Sequence, residues 1–524
     1  PGSVIGKLMA FDPSLKERVK EMGILARKVC DDVSSLSMES QQDELSKEAP
    51  HLLTPQKKNK TGLKPLAKGE NGVVMRLAPN PSGPLHLGHT RMSILNDEYV
   101  KMHGGRLYLR FEDTNPEKVM REAYDMIRED LDWLGVKVHQ EIFQSSRFDI
   151  YYDVAKKLIK KGVAYACTCG SETFRSLKGE GKPCPHRDRP VEETLEIWEG
   201  MLNNTVDEGT ASIVVKTDIA HKNPAVRDFV ALRIIDDLPH PLTGSKYRVY
   251  PLMNLSVAID DHMLELTHVL RGKDHLNNTL RQQYVFNHMG WDLPIYHHYG
   301  WVSIEDTILK TSTIKQGIKD RTFSGWDDVR LGTIRALRSR GIHPDAIREV
   351  WKEAGLKEVD ISFSWNNLYA KNKELVNPNA RRLFFVHDPV AVSYEGELQS
   401  VSVANHPDNR ELGNREIALK DPPVKVLMPM EDLVSVTNGS MFRLKDLGNF
   451  HRTSMGATYA GNDLSAVRER VPIFQWVPVD ALPHEIIMPD GTSLAGLVEP
   501  FDEQLVGQVV QFERLGFAML GRDA

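Results

Sequence analysis

The stretch GVVMRLAPNPSGPLHLGHTRMSIL (72–95) decides the fold. It opens on a short apolar run and closes on a helix-competent one. Between them, residues 79–90 pack three prolines, two glycines and two histidines. An apolar run stopped by turn residues predicts a buried strand, and the run after the histidines predicts a helix ending at Gly104-Gly105. A strand, a tight loop and a helix start make a pocket where backbone N–H groups and the positive helix end meet phosphate. Gly83 and Gly88 would let backbone approach a nucleotide with no Cβ in the way. His86 and His89, three residues apart, share a face and can donate to phosphate oxygens. On spacing alone, a plain helix start with two solvent-facing histidines reads equally well.

Outward from this stretch the grammar repeats. RLYLRFED (106–113) is β-rich, NPEKVMREAYDMIREDLDWLG (115–135) reads as a helix with Pro116 near its first turn, and SSRFDIYYDVAKKLIKKG (145–162) as another with Ser146 as cap. LTHVLRGKDHLNNTLRQQYVFNHMG (266–290) resumes strand then helix. Strand–loop–helix in succession predicts a doubly wound, Rossmann-type parallel sheet, with ligands beyond the strands' C-terminal ends. Residues 164–244 interrupt it with Cys, His, Pro and short strands, as an insertion would. The segment 325–355 is expected to be helical, with five arginines between 330 and 348. From about 376, short alternating runs broken by Pro, Gly, Asn and Asp predict an all-β region built as barrels. Upstream, 5–35 has helical periodicity, and the polar SLSMESQQDELSKEAPHLLTPQKKNKTG (35–62) reads as a linker.

Several of these strings resemble one family. HLGH after RLAPNPSG is similar to the HIGH signature of class I aminoacyl-tRNA synthetases of the glutamyl/glutaminyl subgroup. LRFEDTNPEK (109–118), LTHVLRGKDH (266–275), GWDDVRLGTIRALRSRG (325–341) and VVQFERLGFA (509–518) resemble that subgroup in its order. The all-β C-terminal part resembles the archaeal glutamyl and the glutaminyl form rather than the bacterial glutamyl one. The resemblance implies ATP with Mg²⁺, an aminoacyl-adenylate, transfer to the 3′ end of tRNA, and a need for tRNA in the first step as well. It places Pro79, Gly83, His86, Gly88 and His89 at ATP. It also places ILKTSTIKQG (308–317) at the KMSKS loop, with Lys310, Thr311, Ser312 and Lys315 as phosphate contacts; the family's second lysine is Thr311 here.

For the amino acid, the resemblance implies Arg76 and Ser82 at the substrate, Glu112 at its α-amino group and Asn254 beside the pocket. Arg271 falls where bacterial-type glutamyl enzymes hold the side-chain carboxylate and glutaminyl enzymes carry an uncharged residue. A guanidinium grips a carboxylate through two hydrogen bonds and gains far less from an amide, so Arg271 favours L-glutamate. Where relatives carry Tyr and Asn or His, this chain has Met253 and Val257. A glutaminyl-tRNA synthetase and a catalytically weakened tRNA-binding paralogue are the competing readings, the second prompted by the altered ILKTSTI loop.

In the insertion, CTC (167–169) and CPH (184–186) offer Cys167, Cys169, Cys184 and His186, paired as C-x-C and C-x-H with fourteen residues between pairs. Three thiols and an imidazole can close a tetrahedral Zn²⁺ site of structural type, because every position is filled by protein. Arg382, Gln511 and Arg514 match positions where glutaminyl relatives read the anticodon, and the 330–348 arginines could face the acceptor stem.

With 524 residues, three or four domains are expected at about 150 residues each. The expected division is 1–70 extension and linker, 71–163 first catalytic half, 164–244 acceptor-stem insertion and 245–305 second catalytic half. A helical connecting domain at 306–375 and anticodon-binding β-barrels at 376–524 complete it. A net charge of −6 confines any RNA binding to local basic surface. Four cysteines, no signal-peptide pattern and no membrane-length apolar run lead to the expectation of a cytoplasmic chain, monomeric by default. The expected partners are tRNA(Glu) and L-glutamate; whether tRNA(Gln) is a second acceptor is left open.

Overall fold

The computed structural model describes residues 15, 18–49, 62–394, 396–419, 424–464 and 471–521. The chain divides into two units, 1–62 and 63–524. The first contains α1 (Val19–Ser35) and α2 (Met38–Glu48). The second helix corrects the linker expectation: Ser37 accepts a hydrogen bond from Ser40 N, so a polar but well-capped segment forms helix. The remainder of that stretch, 50–61, and the start of the expected N-terminal helix lie outside the described residues.

In the second unit the predicted alternation is present. β1 (Val73–Leu77), α3 (Leu87–His103), β2 (Gly105–Phe111), α4 (Ala123–Trp133) and β3 (Gln140–Phe143) follow in order, and β1-β2-β3 pair in parallel. The single helix expected over 115–135 is instead a 3-10 turn, Pro116–Lys118, followed by α4. Asn115 caps the turn and Met120 N–H donates to Pro81 O at 2.8 Å, which pulls the chain out of helical geometry between the two pieces. α5 (Phe148–Lys160) follows. Ser146 does not cap it: its hydroxyl donates back to Phe143 O at 2.8 Å, inside a 3-10 turn.

The interruption is an antiparallel sheet, β4 (Ala164–Cys167), β5 (Ser212–Val215), β6 (Phe229–Ile234) and β7 (Val249–Pro251), with α6 (Ser171–Glu180) and α7 (Val191–Leu202) between β4 and β5. α8 (Met253–Met263) then leads to β8 (His268–Gly272), α9 (Leu276–Met289) and β9 (Ile295–Tyr299), with β8 and β9 parallel. Thr267 N–H donates to Val74 O at 3.0 Å and Val74 N–H to the Thr267 hydroxyl at 2.9 Å. These bonds set β8 beside β1, so the strands read β3-β2-β1-β8-β9, with a change of winding direction between β1 and β8.

The 325–355 stretch is two helices rather than one, α11 (Ile334–Ser339) and α12 (Pro344–Ala354), preceded by α10 (Thr311–Lys319) and followed by α13 (Trp365–Val376). Gly341 at φ +73° ends the first and Pro344 starts the second. One apolar core joins β1–β3 and α3 to α11, α12 and α13 through Leu87, Ile94, Leu337, Ile347, Trp351 and Leu368.

Beyond Arg382 the described structure is mostly β. Its strands, two to six residues long, form sheets of two to four strands, and none closes into a barrel. The ladder breaks between short neighbouring strands, and buried side chains such as Phe384, Val426, Phe442 and Trp476 join the sheets instead. No described helix is long and apolar enough to cross a membrane.

Candidate active site

Three arginines stand on adjacent strands at the sheet's centre: Arg110 on β2, Arg76 on β1 and Arg271 on β8, all buried. Their charges are met unequally. Arg110 donates to Asp261 of α8 at 2.6 Å and to Glu112 at 3.0 Å. Arg76 reaches only the backbone oxygen of Leu270, at 3.2 Å. Arg271 donates to Thr279 Oγ1 at 3.2 Å and Gln282 Oε1 at 3.0 Å of α9, and lies over the Tyr296 ring at 5.4 Å. Burial lowers the Arg76 pKa to about 10; Asp261 and Glu112 pull it back, and Arg271 and Arg110 push it further down. Arg76 Nε, Arg110 Nε, Asp261 Oδ2 and the Tyr296 hydroxyl are buried with no hydrogen-bond partner among the described residues. Unpaired polar atoms are costly in an interior, so a cluster of them marks a place built for a polar guest.

Glu112 and Asn254 open onto a cleft of about 1150 Å³, which Met253 and Cys167 also line. Asn254 Oδ1 accepts from Gln282 Nε2 at 3.4 Å, which links it to Arg271 through one side chain. Val257, in contrast, is core. Ser82 is half-buried in the loop after β1. The sequence reading missed Arg110, Asp261, Gln282 and Tyr296. Strand alternation could have found Arg110, since residues two apart on β2 share the face of Glu112.

The loop from Pro79 to Leu85 is held by its backbone. Glu112 N–H donates to Pro79 O at 3.0 Å, Leu87 N–H to Gly332 O at 2.8 Å and Ile334 N–H to Leu85 O at 2.9 Å. His86 is the N-cap of α3 and accepts from Gly88 N–H at 3.1 Å through Nδ1, while His89 Nδ1 accepts from His86 N–H at 3.3 Å. A neutral imidazole whose Nδ1 accepts carries its proton on Nε2, so both rings present Nε2–H. The rings stack at 3.6 Å. Burial, with His89 adding to it, lowers the His86 pKa to about 2, and burial lowers that of His89 to about 4. Both are therefore neutral donors at pH 7, not cations.

Side chains crowd both glycines. A Cβ on Gly83 would stand 2.9 Å from Thr311 Cγ2 and 3.0 Å from the Trp326 ring, and one on Gly88 would stand 3.0 Å from His86 Cε1. The structure thus sets Gly83, in the loop that leads into HLGH, against Thr311 of ILKTSTIKQG. Lys310 and Ser312 are exposed, Lys310 at the N-cap of α10, and Lys315 is half-buried. Burial lowers the Lys315 pKa and Glu122 raises it.

In the insertion, the ligand atoms of Cys167, Cys169, Cys184 and His186 all lie within 4.8 Å of one another. The Cys184 sulfur is 3.4 Å from that of Cys167 and 3.5 Å from that of Cys169, and His186 Nδ1 lies 3.4–3.9 Å from the three sulfurs. These separations approach the edge of about 3.8 Å for a tetrahedron with Zn–S bonds of about 2.3 Å. Thr168 Oγ1, 3.0 Å from His186 Nε2, holds the ring with Nδ1 turned inward. The donor set fits Zn²⁺.

The basic helical region is largely spent internally. Arg330 pairs with Asp328, Arg335 with Glu129, Arg340 with the backbone oxygens of Val329 and Leu331, and Arg348 with Asp97 and Glu98. Among the described residues, Arg338 is the one of the five that is exposed with no hydrogen bond or ion pair. Arg382 is buried, donating to Ala380 O at 2.5 Å and Asn377 Oδ1 at 2.7 Å. It pairs in register with Gln511, whose side chain makes no hydrogen bond with the described residues. Arg514, at φ +70° in the following turn, is tied to the buried Asp432.

Residues 72–378 match the family model "tRNA synthetases class I (E and Q), catalytic domain", and 380–465 match the "anti-codon binding domain" of the same family. The chain belongs to the class I tRNA synthetases of the E and Q type. Its curated relatives include the glutamate–tRNA ligase of Methanoculleus marisnigri, 47% identical over 529 residues, 99% of this chain and 93% of that protein. That of Methanocaldococcus jannaschii is 45% identical over 530 residues, 100% and 94% of the two chains. Among solved structures, a glutamate tRNA ligase from Elizabethkingia meningosepticum in complex with its amino acid aligns with a TM-score of 0.42. It is 23% identical and covers 58% of this chain and 69% of that one.

Proposed function

We propose that the chain is a glutamate–tRNA ligase: it joins L-glutamate to ATP as glutamyl-adenylate and passes the glutamyl group to the 3′ end of tRNA(Glu). The observation that carries the choice of amino acid is the pair Arg76 and Arg271, two buried guanidiniums with no carboxylate hydrogen-bonded to either among the described residues. Glutamate brings two carboxylates to this pair and an ammonium for Glu112; glutamine would leave one arginine without a counter-charge.

In the first step a glutamate α-carboxylate oxygen bonds to the α-phosphorus of ATP while the α–β bridging bond breaks and pyrophosphate leaves. His86 and His89 donate through Nε2–H to phosphate oxygens as charge moves onto the leaving group. Lys310, Lys315, Thr311 and Ser312 approach from the opposite loop, and Pro79, Gly83 and Gly88 shape the backbone beneath, with Mg²⁺ accompanying the nucleotide. In the second step a ribose hydroxyl of the tRNA end attacks the activated carbonyl and AMP leaves.

The domain division proposed is the one expected from sequence: catalytic halves at 71–163 and 245–305, an acceptor-binding insertion at 164–244, a connecting domain at 306–375 and an anticodon-binding part from 376. Within that last part Gln511 is the base-contacting candidate, with Arg382 and Arg514 setting its strand and turn. Cys167, Cys169, Cys184 and His186 would hold a structural Zn²⁺ that braces the cleft wall. Metal analysis of the purified chain should find zinc, and Cys169→Ser should lose it; a metal-free native chain rejects the site.

Charging purified tRNA(Glu) and tRNA(Gln) with labelled glutamate or glutamine tests the main reading. Glutamate on tRNA(Glu) is expected, and the tRNA(Gln) arm decides whether there is a second acceptor. Charging with glutamine alone rejects the proposal.

A further inference from the structure

Asp130 of α4 is a buried carboxylate behind the HLGH loop. Its Oδ2 accepts the backbone N–H of Leu85 at 2.7 Å. Leu85 directly precedes His86, and its own carbonyl accepts from Ile334 N–H, so the residue that enters the histidine loop is fixed on both backbone atoms. The next residue after Ile334 is Arg335. Its Nε is buried without a hydrogen-bond partner and stands 4.0 Å from Asp130 Oδ1, while its Nη2 pairs with Glu129. The strand-like segment that grips the loop and the cation that faces Asp130 are therefore one piece of chain.

We propose that Asp130 is a positioning residue for the adenylate-forming step: through Leu85 N–H it fixes the loop on which His86 and His89 are mounted, and Arg335 is the cation that holds its charge. This rests on the ligase reading above. The two histidines act by donating from Nε2, and a donor helps only where it points at the phosphate. His86 takes its orientation from Gly88 and His89 from His86 N–H, so both rings inherit the position of the backbone at Leu85–His86. An ionised carboxylate makes a charge-assisted bond to that backbone about twice as strong as a neutral acceptor would.

The charge is delicately held. Burial pushes the Asp130 pKa up to about 7. The Leu85 N–H, Arg335 and Arg338 pull it down, and Glu129 pushes it up. These are the charged groups that face it: Glu129 from its own helix and the two arginines from α11, with the loop side supplying a backbone N–H. Because the folded pKa is raised, the ionised form is present above about pH 7 and is lost as pH falls through it. His86 and His89, at about 2 and about 4, do not titrate in that window.

The test uses the full chain with tRNA present and reads glutamate-dependent ATP–pyrophosphate exchange against pH, alongside hydrogen–deuterium exchange across 83–90. Asp130→Ala should lower kcat about 100-fold with KM for ATP and glutamate within about threefold, and speed amide exchange of the loop about tenfold. Asp130→Asn keeps an acceptor without the charge: kcat should fall about tenfold and no longer drop below pH 7. Arg335→Gln should move the acid limb to higher pH, because the ionised form loses its cation. An unchanged kcat and unchanged loop protection in Asp130→Ala overturn the proposal, as does an acid limb that survives in Asp130→Asn. If the wild-type chain shows no exchange activity, the ligase reading fails instead, and the loop protection still decides on Asp130.

Discussion

Arg76 and Arg271 in the catalytic sheet and Arg382 in the C-terminal sheets are equally hidden from solvent, yet their surroundings differ in kind. Arg382 finds two acceptors close by in its own chain segment, Ala380 O and Asn377 Oδ1. Arg514, nearby, has the carboxylate of Asp432. Arg76 has a single backbone acceptor and an unpaired Nε, while Arg271, like Arg382, has two neutral acceptors, Thr279 and Gln282, and stands beside Arg76 on the neighbouring strand. A buried arginine with its bonding filled is architecture. On the ligase reading proposed above, one with bonds to spare holds a site open for a substrate anion, at a cost to folding that the bound ligand recovers. The contrast is clearest between Arg76, with its unpaired Nε, and Arg382, bonded twice within its own segment.

The largest effect should come from breaking the open side of that comparison. Arg271→Ala should raise the KM for glutamate about 100-fold or more, since it removes one half of a buried charge pair with the substrate. The thermal midpoint should fall only by what two buried bonds to the neutral Thr279 and Gln282 contribute, about 1–3 kcal/mol, because no carboxylate hydrogen-bonded to Arg271 loses its partner. Steady-state charging kinetics beside a thermal melt check both. An unaltered KM removes Arg271 from the pocket, and a collapsed midpoint makes it scaffolding like Arg382.

How far the sequence alone reached follows the same division. The β1–loop–α3 unit was legible because its signals are local: an apolar run, Pro and Gly at element ends, and a helix-competent run after the histidines. So were the thiol–imidazole spacing and the strand before Arg271. Asp261 and Tyr296 were not, since they join the site only when α8 and β9 fold against β1 and β2, and no spacing in the chain announces that. The five arginines of 330–348 show what clustering leaves out: two of them, Arg335 and Arg348, pair with the sequence-distant Glu129 and Asp97, which no local pattern announces. Closed barrels failed for a related reason: alternation and turn residues report strands, not whether a ladder continues past its last pair.

The smallest effects are expected on the filled side. Arg382→Ala deletes two buried hydrogen bonds and should cost about 1–3 kcal/mol of stability. Arg514→Ala should cost about 1 kcal/mol, because its guanidinium is half-exposed although Asp432 is not. Neither should move the KM for glutamate. The informative measurement is the KM for tRNA in variants that remain folded at the assay temperature. A KM unchanged for both, with only the melts shifted, keeps these arginines as supports for the strand that bears Gln511. A KM that rises in Arg382→Ala at an unshifted melt would mean that its two internal bonds are exchanged for RNA on binding, and the distinction between open and filled arginines would then describe the free protein only.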